Sequence, residues 1–222
     1  VTVARGIRYA VDNGAKVLNL SLGREGPPDC GTRPTAGCAP AVEDAVKYAV
    51  SKGAFLAFAA GNEFEEGNPT EVFAEIASRV GGAVSVAAID RSKNHAWYSN
   101  TGSWVELAAP GGSFRGFPAS GGILQQTLHP DFVETFLEPV ARFTAPRFDV
   151  LAYVYYTGTS QATPHVSGVA AMLMQQGITN PAAIEAALEK FATDLGDSGR
   201  DPVFGYGLIE ARNTLRGLGL TK

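Results

Sequence analysis

The sequence predicts an α/β fold with a mostly parallel central sheet covered by helices on both faces, giving three αβα layers. Two helix-to-strand units follow each other in the first 60 residues, and their strands are short and almost wholly apolar. Such strands are typical of parallel sheets buried on both sides. The chain has 222 residues, of which 45% are apolar, and shows no boundary that demands a second domain. We therefore expect a single domain over residues 1–222.

The first unit begins with a helix and ends with a strand over residues 17–22. Asn13-Gly14 supplies the end of the helix. The apolar residues of its face recur at helical spacing: Val3, Ile7, Ala10 and Val11. The second unit repeats this order, with Gly53 as the end of the helix and a strand over residues 55–60. Its helical face consists of Val42, Ala45, Val46, Ala49 and Val50.

Two further strands are predicted after these units. The first covers residues 83–89, and the second lies around residues 104–108, where apolar and β-branched residues again dominate. Residues 111–122 then form a glycine-rich connection. A parallel sheet of at least four strands follows from this order.

Composition and charge exclude two classes of partner. The net charge of −4 and the pI near 5.4 provide no basic surface for a phosphate backbone, so we expect no nucleic acid partner. The longest apolar stretches, residues 54–60 and 83–89, are far shorter than the roughly 20 residues that span a bilayer. We therefore expect no membrane segment.

The only two cysteines, Cys30 and Cys38, lie in a Gly/Pro/Thr-rich stretch at residues 26–40. Two close sulfurs in one loop favour a disulfide over a zinc site, which needs more ligands, and free thiols are the alternative. A disulfide here would stabilise the fold by roughly 2 to 3 kcal/mol. It would also place the protein in an oxidising compartment, so we expect a secreted or extracellular protein. No signal peptide is visible.

Small and polar residues follow the first two strands. Ser21-Leu22-Gly23 comes after the first, and Gly61-Asn62-Glu63 after the second. Ligands of open parallel sheets bind at the carboxyl ends of the strands, so we expect the site there. Asn62 alone has a plainer interpretation, because asparagine often holds a turn.

A polar, glycine-containing turn leads into a helix of small and apolar residues over 162–173, with Pro164 near its first turn. Ser160 then lies at the positive end of a buried helix, where backbone N–H groups and the helix dipole favour negative charge beside its hydroxyl. The alternative is that Thr159 or Ser160 is only an N-cap.

The segment around Ser160 resembles the serine signature of the subtilisin-like serine proteases, the subtilases. Its residues are Gly158-Thr159-Ser160, Ala162, Pro164-His165-Val166 and Gly168. Other landmarks agree in order: Leu18-Asn19-Leu20-Ser21-Leu22-Gly23, Ala59-Ala60-Gly61-Asn62-Glu63, Val84-Ser85-Val86-Ala87-Ala88 with Asp90, Ser99-Asn100-Thr101-Gly102, Ala108-Ala109-Pro110-Gly111 and Phe204-Gly205-Tyr206-Gly207-Leu208-Ile209. The likeness covers almost the whole chain, with insertions at about residues 26–40 and 128–147.

The resemblance implies a subtilisin-like fold and a serine endopeptidase. Ser160 would attack the scissile carbonyl to form an acyl-enzyme, and the Asn62 amide with the Ser160 N–H would bind the oxyanion. A peptide or protein substrate would lie between Ser21-Leu22-Gly23 and Ala59-Ala60-Gly61, with Thr159 beside it. Binding through the substrate main chain predicts broad specificity. Nearby acids could attract basic substrates, but exposed acids are usually only solvated; these are Glu63, Glu65 and Glu66.

The family's Asp-(Ser/Thr)-Gly and His-Gly-Thr-His motifs, which supply the orienting acid and the base, are absent from this sequence. We do not expect His95, His129 or His165 to replace the base, and Asp12 is expected to cap a helix. A serine hydroxyl without a base is a poor nucleophile. We therefore expect a partial catalytic domain that lacks its N-terminal part, is nearly inactive alone and has that N-terminal remainder as a partner.

Two rival functions remain. A catalytically inactive subtilase-like domain used for binding or assembly also fits the absent base. An esterase of the α/β-hydrolase class would need Gly-x-Ser-x-Gly, and Ala162 stands where its second glycine belongs.

No cofactor and no metal site is predicted from the residues. The resemblance implies calcium as a possible structural ion, with Asp90 where some members use a carboxylate, but one acid is too few ligands. The acids Asp194, Asp197 and Asp201 lack the spacing of a calcium-binding loop, so we expect them to be solvated. The stretch 128–147 is interpreted either as a lid over the cleft or as a segment packed on the body.

Overall fold

The structure is a computed structural model that describes residues 2–27, 36–128 and 151–217. Within these ranges, the helices are α1 (Thr2–Asp12), α2 (Pro40–Ser51), α3 (Val72–Ala77), α4 (Thr159–Gln175), α5 (Pro181–Lys190) and α6 (Ala211–Gly217). The strands are β1 (Val17–Leu20), β2 (Glu25–Gly26), β3 (Phe55–Ala59), β4 (Thr70–Glu71), β5 (Ala83–Ile89), β6 (Leu107–Pro110), β7 (Ile123–Leu128) and β8 (Leu151–Tyr156).

The central sheet has four strands in the order β1-β3-β5-β6, and every neighbouring pair is parallel. All residues of β3 and β5 are buried. The predicted α/β class with a mostly parallel sheet is confirmed. Because the strands run in one direction, the segments after β1 and β3 lie at the same edge of the sheet.

Helices cover both faces of this sheet. One apolar cluster joins α1, α2 and α3 to residues such as Leu18, Leu56 and Phe58. A second cluster joins α4 and α5 to the opposite face, which includes Phe55 and Val84. Successive residues of β3 enter different clusters, and for this reason the strand is apolar at every position. None of the helices described is long and apolar enough to cross a membrane.

The fourth strand lies farther along the chain than its sequence predicts. It begins at Leu107, because residues 102–105 form a turn in which the Val105 N–H donates to the Gly102 carbonyl at 3.0 Å. Val105 is nevertheless fully buried, in a small cluster with Ala60 and Ala87. The strand was predicted to begin too early because Val105 is apolar and buried although it lies in a turn.

Two short antiparallel ribbons accompany the sheet. β2 pairs with β4, and β7 pairs with β8 from Ile123↔Tyr156 to Leu128↔Leu151. The second ribbon flanks the predicted insertion, which except for Leu128 lies outside the described residues. Cys38 is buried at 3% exposure, and Cys30 falls outside the described ranges, so their disulfide stays a prediction.

Candidate active site

A tight turn after β3 presents Asn62 at the edge of the sheet. Gly61 adopts a φ of +104°, a conformation that glycine adopts without strain. A Cβ at this position would also overlap the side-chain amide of Asn100. Glycine at position 61 therefore allows the backbone to turn sharply at the end of β3, so that Asn62 is exposed directly after a buried strand.

Asn100 anchors this turn, a role that its place in the sequence does not reveal. Its side chain is fully buried, and its Oδ1 accepts the Glu63 N–H at 2.7 Å. Its Nδ2 donates to Glu63 Oε2 at 3.2 Å and to the Pro69 carbonyl at 3.1 Å, and its own N–H donates to the Gly61 carbonyl at 3.0 Å. Four hydrogen bonds from one residue thus fix the backbone around Asn62. In the sequence, Asn100 appears only within the landmark Ser99-Asn100-Thr101-Gly102, with no role assigned to its side chain.

The structure starts α4 at Thr159, with Gly158 as its N-cap, so Ser160 is the second residue of the helix. The N-cap alternative for Thr159 or Ser160 is therefore wrong. The N–H groups of the first helical turn have no partner within a helix, and the positive end of the helix dipole lies beside them. The Ser160 hydroxyl, which is partly buried, is placed where negative charge is favoured.

Pro164 links this helix to the segment after β1. Proline has no N–H, so the Ser160 carbonyl lacks the helical hydrogen bond that residue 164 would otherwise donate. The Ser21 hydroxyl takes that place and donates to the Ser160 carbonyl at 2.7 Å. The Ser160 Oγ lies 3.4 Å from the Ser21 carbonyl oxygen. Ser21, predicted to bind substrate, therefore contacts the candidate nucleophile directly.

Thr159 fixes the orientation of the Asn62 side chain. The Thr159 N–H donates to Asn62 Oδ1 at 2.8 Å, and the Thr159 hydroxyl donates to the same oxygen at 3.0 Å. Because a backbone N–H can only donate, the oxygen of the amide must face Thr159. The Nδ2 donor of Asn62, which is an exposed residue, forms no hydrogen bond within the described residues.

These residues meet at a cavity of about 180 Å³. Seven residues predicted for the site line it: Leu22, Gly23, Ala59, Gly61, Asn62, Thr159 and Ser160. Ser21 and Ala60 do not line it: Ser21 instead contacts Ser160, and the Ala60 side chain is packed in the buried cluster with Val105. Glu63, considered above as an acid near Asn62, also lines the cavity, together with three residues that were not predicted: Arg24, Glu25 and Glu71.

The described histidines have partners other than Ser160. His95 Nε2 lies 2.7 Å from the Ser99 carbonyl, and burial lowers the pKa of its ring. His165 Nδ1 lies 2.8 Å from the Gln161 carbonyl. Asp12 ends α1 and accepts the Tyr48 hydroxyl at 2.6 Å. None of these three groups forms a hydrogen bond with Ser160, and His129 lies outside the described residues.

Two of the acids considered as metal ligands, Asp90 and Asp201, accept hydrogen bonds from backbone N–H groups of their own loops. Asp90 Oδ1 accepts the N–H groups of Ser92 at 2.8 Å and Asn94 at 2.9 Å. Asp201 is 8% exposed, and its Oδ1 accepts the amides of Val203 and Phe204. The prediction of a solvated side chain is therefore wrong for Asp201, which holds a turn. Ca²⁺ takes six to eight oxygens, so Asp90 is a poor donor set, and calcium stays a prediction.

Comparisons with known proteins agree with this fold and site. The sequence model of the subtilase family matches residues 1–207, and the chain belongs to that family of serine proteases. It is 34% identical to the "Thermophilic serine proteinase" of Bacillus sp. (strain AK1), covering 96% of this chain and 41% of that protein. It is also 34% identical to thermitase of Thermoactinomyces vulgaris, covering 89% of this chain and 53% of thermitase.

A solved structure shows the same relation. A protease of Pseudoalteromonas arctica PAMC 21717 superposes with a TM-score of 0.72 at 27% identity, covering 98% of this chain and 59% of that chain. The chain therefore spans about half the length of the curated relatives named above.

In the complete product of the gene that encodes this chain, replacing Thr159 by valine is expected to reduce kcat for peptide hydrolysis about tenfold with little change in KM. The valine keeps the shape but removes the hydroxyl that holds Asn62 Oδ1, so the amide would lose part of its orientation. Thr163→Val is the matched control, because the Thr163 hydroxyl is buried in the same helix but donates to the Thr159 carbonyl. Equal effects of both changes on kcat would argue against a positioning role.

Proposed function

We propose that this chain is the nucleophile-bearing part of a serine endopeptidase that cleaves peptide bonds through an acyl-enzyme on Ser160. The observation that supports this most is the joint placement of two groups at one cavity. The Ser160 hydroxyl lies at the start of α4, and Asn62, whose Oδ1 is held by Thr159 and whose Nδ2 has no described partner, lines the same cavity. This arrangement suits attack on a carbonyl whose oxygen becomes negative.

In the proposed reaction, Ser160 Oγ bonds to the scissile carbonyl carbon while its proton passes to a base. Asn62 Nδ2 and the Ser160 N–H donate hydrogen bonds to the carbonyl oxygen as it acquires negative charge. The amine leaves with a proton from the same base, and water then hydrolyses the acyl-enzyme. The described residues supply the nucleophile and the oxyanion donors of this sequence of steps.

The base and its orienting acid are proposed to come from an N-terminal remainder of the same protease. In the part of the chain that the structure describes, β1 is paired only with β3, so its other edge is open to a further strand. An apolar groove of about 380 Å³ follows that edge and includes Ile7, Leu18 and Leu20. His95, His165 and Asp12 have other partners, which also favours an external base.

The substrate is proposed to be an extended peptide that lies between the segments after β1 and β3. Gly23 and Gly61 both line the cavity, and residues without side chains allow a peptide backbone to approach closely. We also propose an extracellular place of action, supported by the pair Cys30 and Cys38 in one short loop. Their disulfide belongs to this proposal.

The test is to compare residues 1–222 expressed alone with the full-length protein, meaning the complete product of the gene that encodes this chain. We expect the full-length protein to hydrolyse casein and peptide anilides, and the isolated chain to be slower by about 10³-fold or more, because its serine has no base. Equal activity of the two would disprove the external base. A full-length protein that folds cooperatively but cleaves no peptide would favour an inactive binding or assembly domain.

A further inference from the structure

One wall of the candidate active-site cavity carries a buried carboxylate. Glu71 ends β4 and is the N-cap of α3, and its side chain is only 3% exposed. Its Oε1 accepts the N–H groups of Arg24 at 2.5 Å and of Phe73 at 3.1 Å. These two hydrogen bonds fix the carboxylate against the segment that follows β1.

The second oxygen of this carboxylate, Oε2, accepts no hydrogen bond within the described residues and lies beside Gly23. A Cβ at position 23 would overlap Oε2, so only glycine leaves this oxygen uncovered. Glu71, Gly23, Asn62 and Ser160 all line the same cavity. A side chain that is only 3% exposed therefore offers an acceptor without a described partner at the cavity that also holds the candidate nucleophile.

The charges around Glu71 are mostly negative. Burial raises the pKa of Glu71, the amides of Arg24 and Phe73 lower it in part, and the carboxylates of Glu63 and Glu25 raise it further. Glu25 and Glu63 also line the cavity, and the single basic residue there, Arg24, is exposed. An entering cation would stabilise the ionised form of Glu71 and reduce this repulsion.

The size and spacing favour an organic cation over a metal ion. Within the described residues, the one group of three or more His, Cys, Asp or Glu side chains close enough to hold a metal ion is Glu106, Glu185 and Glu189, none of which lines this cavity. The cavity, at about 180 Å³, is smaller than sites for whole drug-sized ligands, which begin near about 300 Å³. It therefore matches one side chain of a longer substrate.

We propose that this cavity selects a lysine or arginine side chain at the substrate residue whose carbonyl Ser160 attacks, and that Glu71 determines this preference. The inference rests on the proposed peptidase function, since only cleavage defines that residue. It differs from the broad specificity that the sequence implies. The acid concerned is the buried Glu71 and not Glu65, whose carboxylate pairs with Arg115.

The experiment measures kcat/KM of the full-length protein for matched peptide anilides that end in Arg, Lys, Phe or Leu. We expect Arg and Lys to exceed Phe and Leu by about tenfold or more, since charge-assisted pairs in a desolvated site are strong. In Glu71→Gln, which keeps an acceptor for the Arg24 and Phe73 amides, the Arg/Phe ratio should fall by about tenfold. Glu65→Gln removes the same charge outside the cavity and should leave the ratio unchanged.

Binding provides a readout that does not need catalysis. In full-length Ser160→Ala, calorimetry should show that benzamidine, a cationic probe, binds at least about tenfold more tightly than neutral benzamide, and that adding Glu71→Gln removes the difference. Should Glu71→Gln fail to fold, Gly23→Ala replaces it, because its methyl group displaces the carboxylate from the cavity wall.

The outcomes separate this inference from the proposed function. The inference is overturned if the protein prefers Phe or Leu over Arg and Lys, or if Glu71→Gln leaves the Arg/Phe ratio of kcat/KM unaltered. Neither result contradicts the proposed peptidase function. If benzamidine binds selectively through Glu71 but no peptide is hydrolysed, the cavity binds cations as inferred and the proposed peptidase function is wrong. Equal binding of benzamidine and benzamide overturns the role of Glu71.

Discussion

Replacing Ser160 by alanine in the full-length protein is expected to reduce kcat for peptide hydrolysis by about 10⁴-fold or more. The hydroxyl is the atom that forms the acyl-enzyme, and no other described hydroxyl at the cavity has the same relation to α4 and Asn62. The measurement is steady-state hydrolysis of a peptide anilide together with a thermal unfolding curve. The curve should stay close to that of the unmodified protein, since only the 3.4 Å contact with Ser21 is lost.

Ser51→Ala is the matched control for this change. Ser51 ends α2, is not among the residues that line the cavity, and its hydroxyl donates to the Tyr48 carbonyl. We expect this variant to keep its activity within about twofold, as surface substitutions usually have small effects. Retention of more than a tenth of the activity by Ser160→Ala would show that another residue forms the covalent bond.

The second large effect is expected at Asn62. Asn62→Ala should lower kcat/KM by about 10² to 10³-fold, mostly through kcat, because its Nδ2 donates only when the carbonyl oxygen becomes negative. Asn62→Asp should be equally damaging. Aspartate keeps the size of the side chain and can still accept the two hydrogen bonds from Thr159, but it has no N–H to donate.

Asn62→Ala and Asn62→Asp together distinguish hydrogen-bond donation by Nδ2 from space filling by the side chain. If Asn62→Asp retained activity within about fivefold, the side chain would act by filling space and the oxyanion role would be wrong. A loss confined to KM would assign Asn62 to ground-state binding of the substrate.

The fold could be predicted from the sequence because its signals are local. Helices α1 and α2 follow from apolar periodicity, and strands β3 and β5 from short continuous apolar runs. The polar segments after β1 and β3 mark the edge where the site lies. The start of β6 was misplaced because Val105 is apolar for a different reason, burial within a turn. An apolar residue therefore indicates that a position is buried, but not whether it lies in a strand or in a turn.

The site could be predicted only in part, because its contacts join distant segments. Asn62 Oδ1 is bound by Thr159, which is 97 residues away, and the Ser160 carbonyl is bound by Ser21, which is 139 residues away. Spacing alone leaves Asn62 as either a turn or a donor, and the resemblance to subtilases was needed to favour the donor. Glu71 gave no signal, since Thr70-Glu71 reads as polar loop and its burial depends on Gly23.

The most direct test of the account is a crystal structure of the full-length protein after reaction with a fluorophosphonate. The account predicts a covalent bond between phosphorus and Ser160 Oγ, with one phosphoryl oxygen about 2.7–3.1 Å from Asn62 Nδ2. An adduct on a different residue, or an oxygen on Ser160 that points away from Asn62, would contradict it.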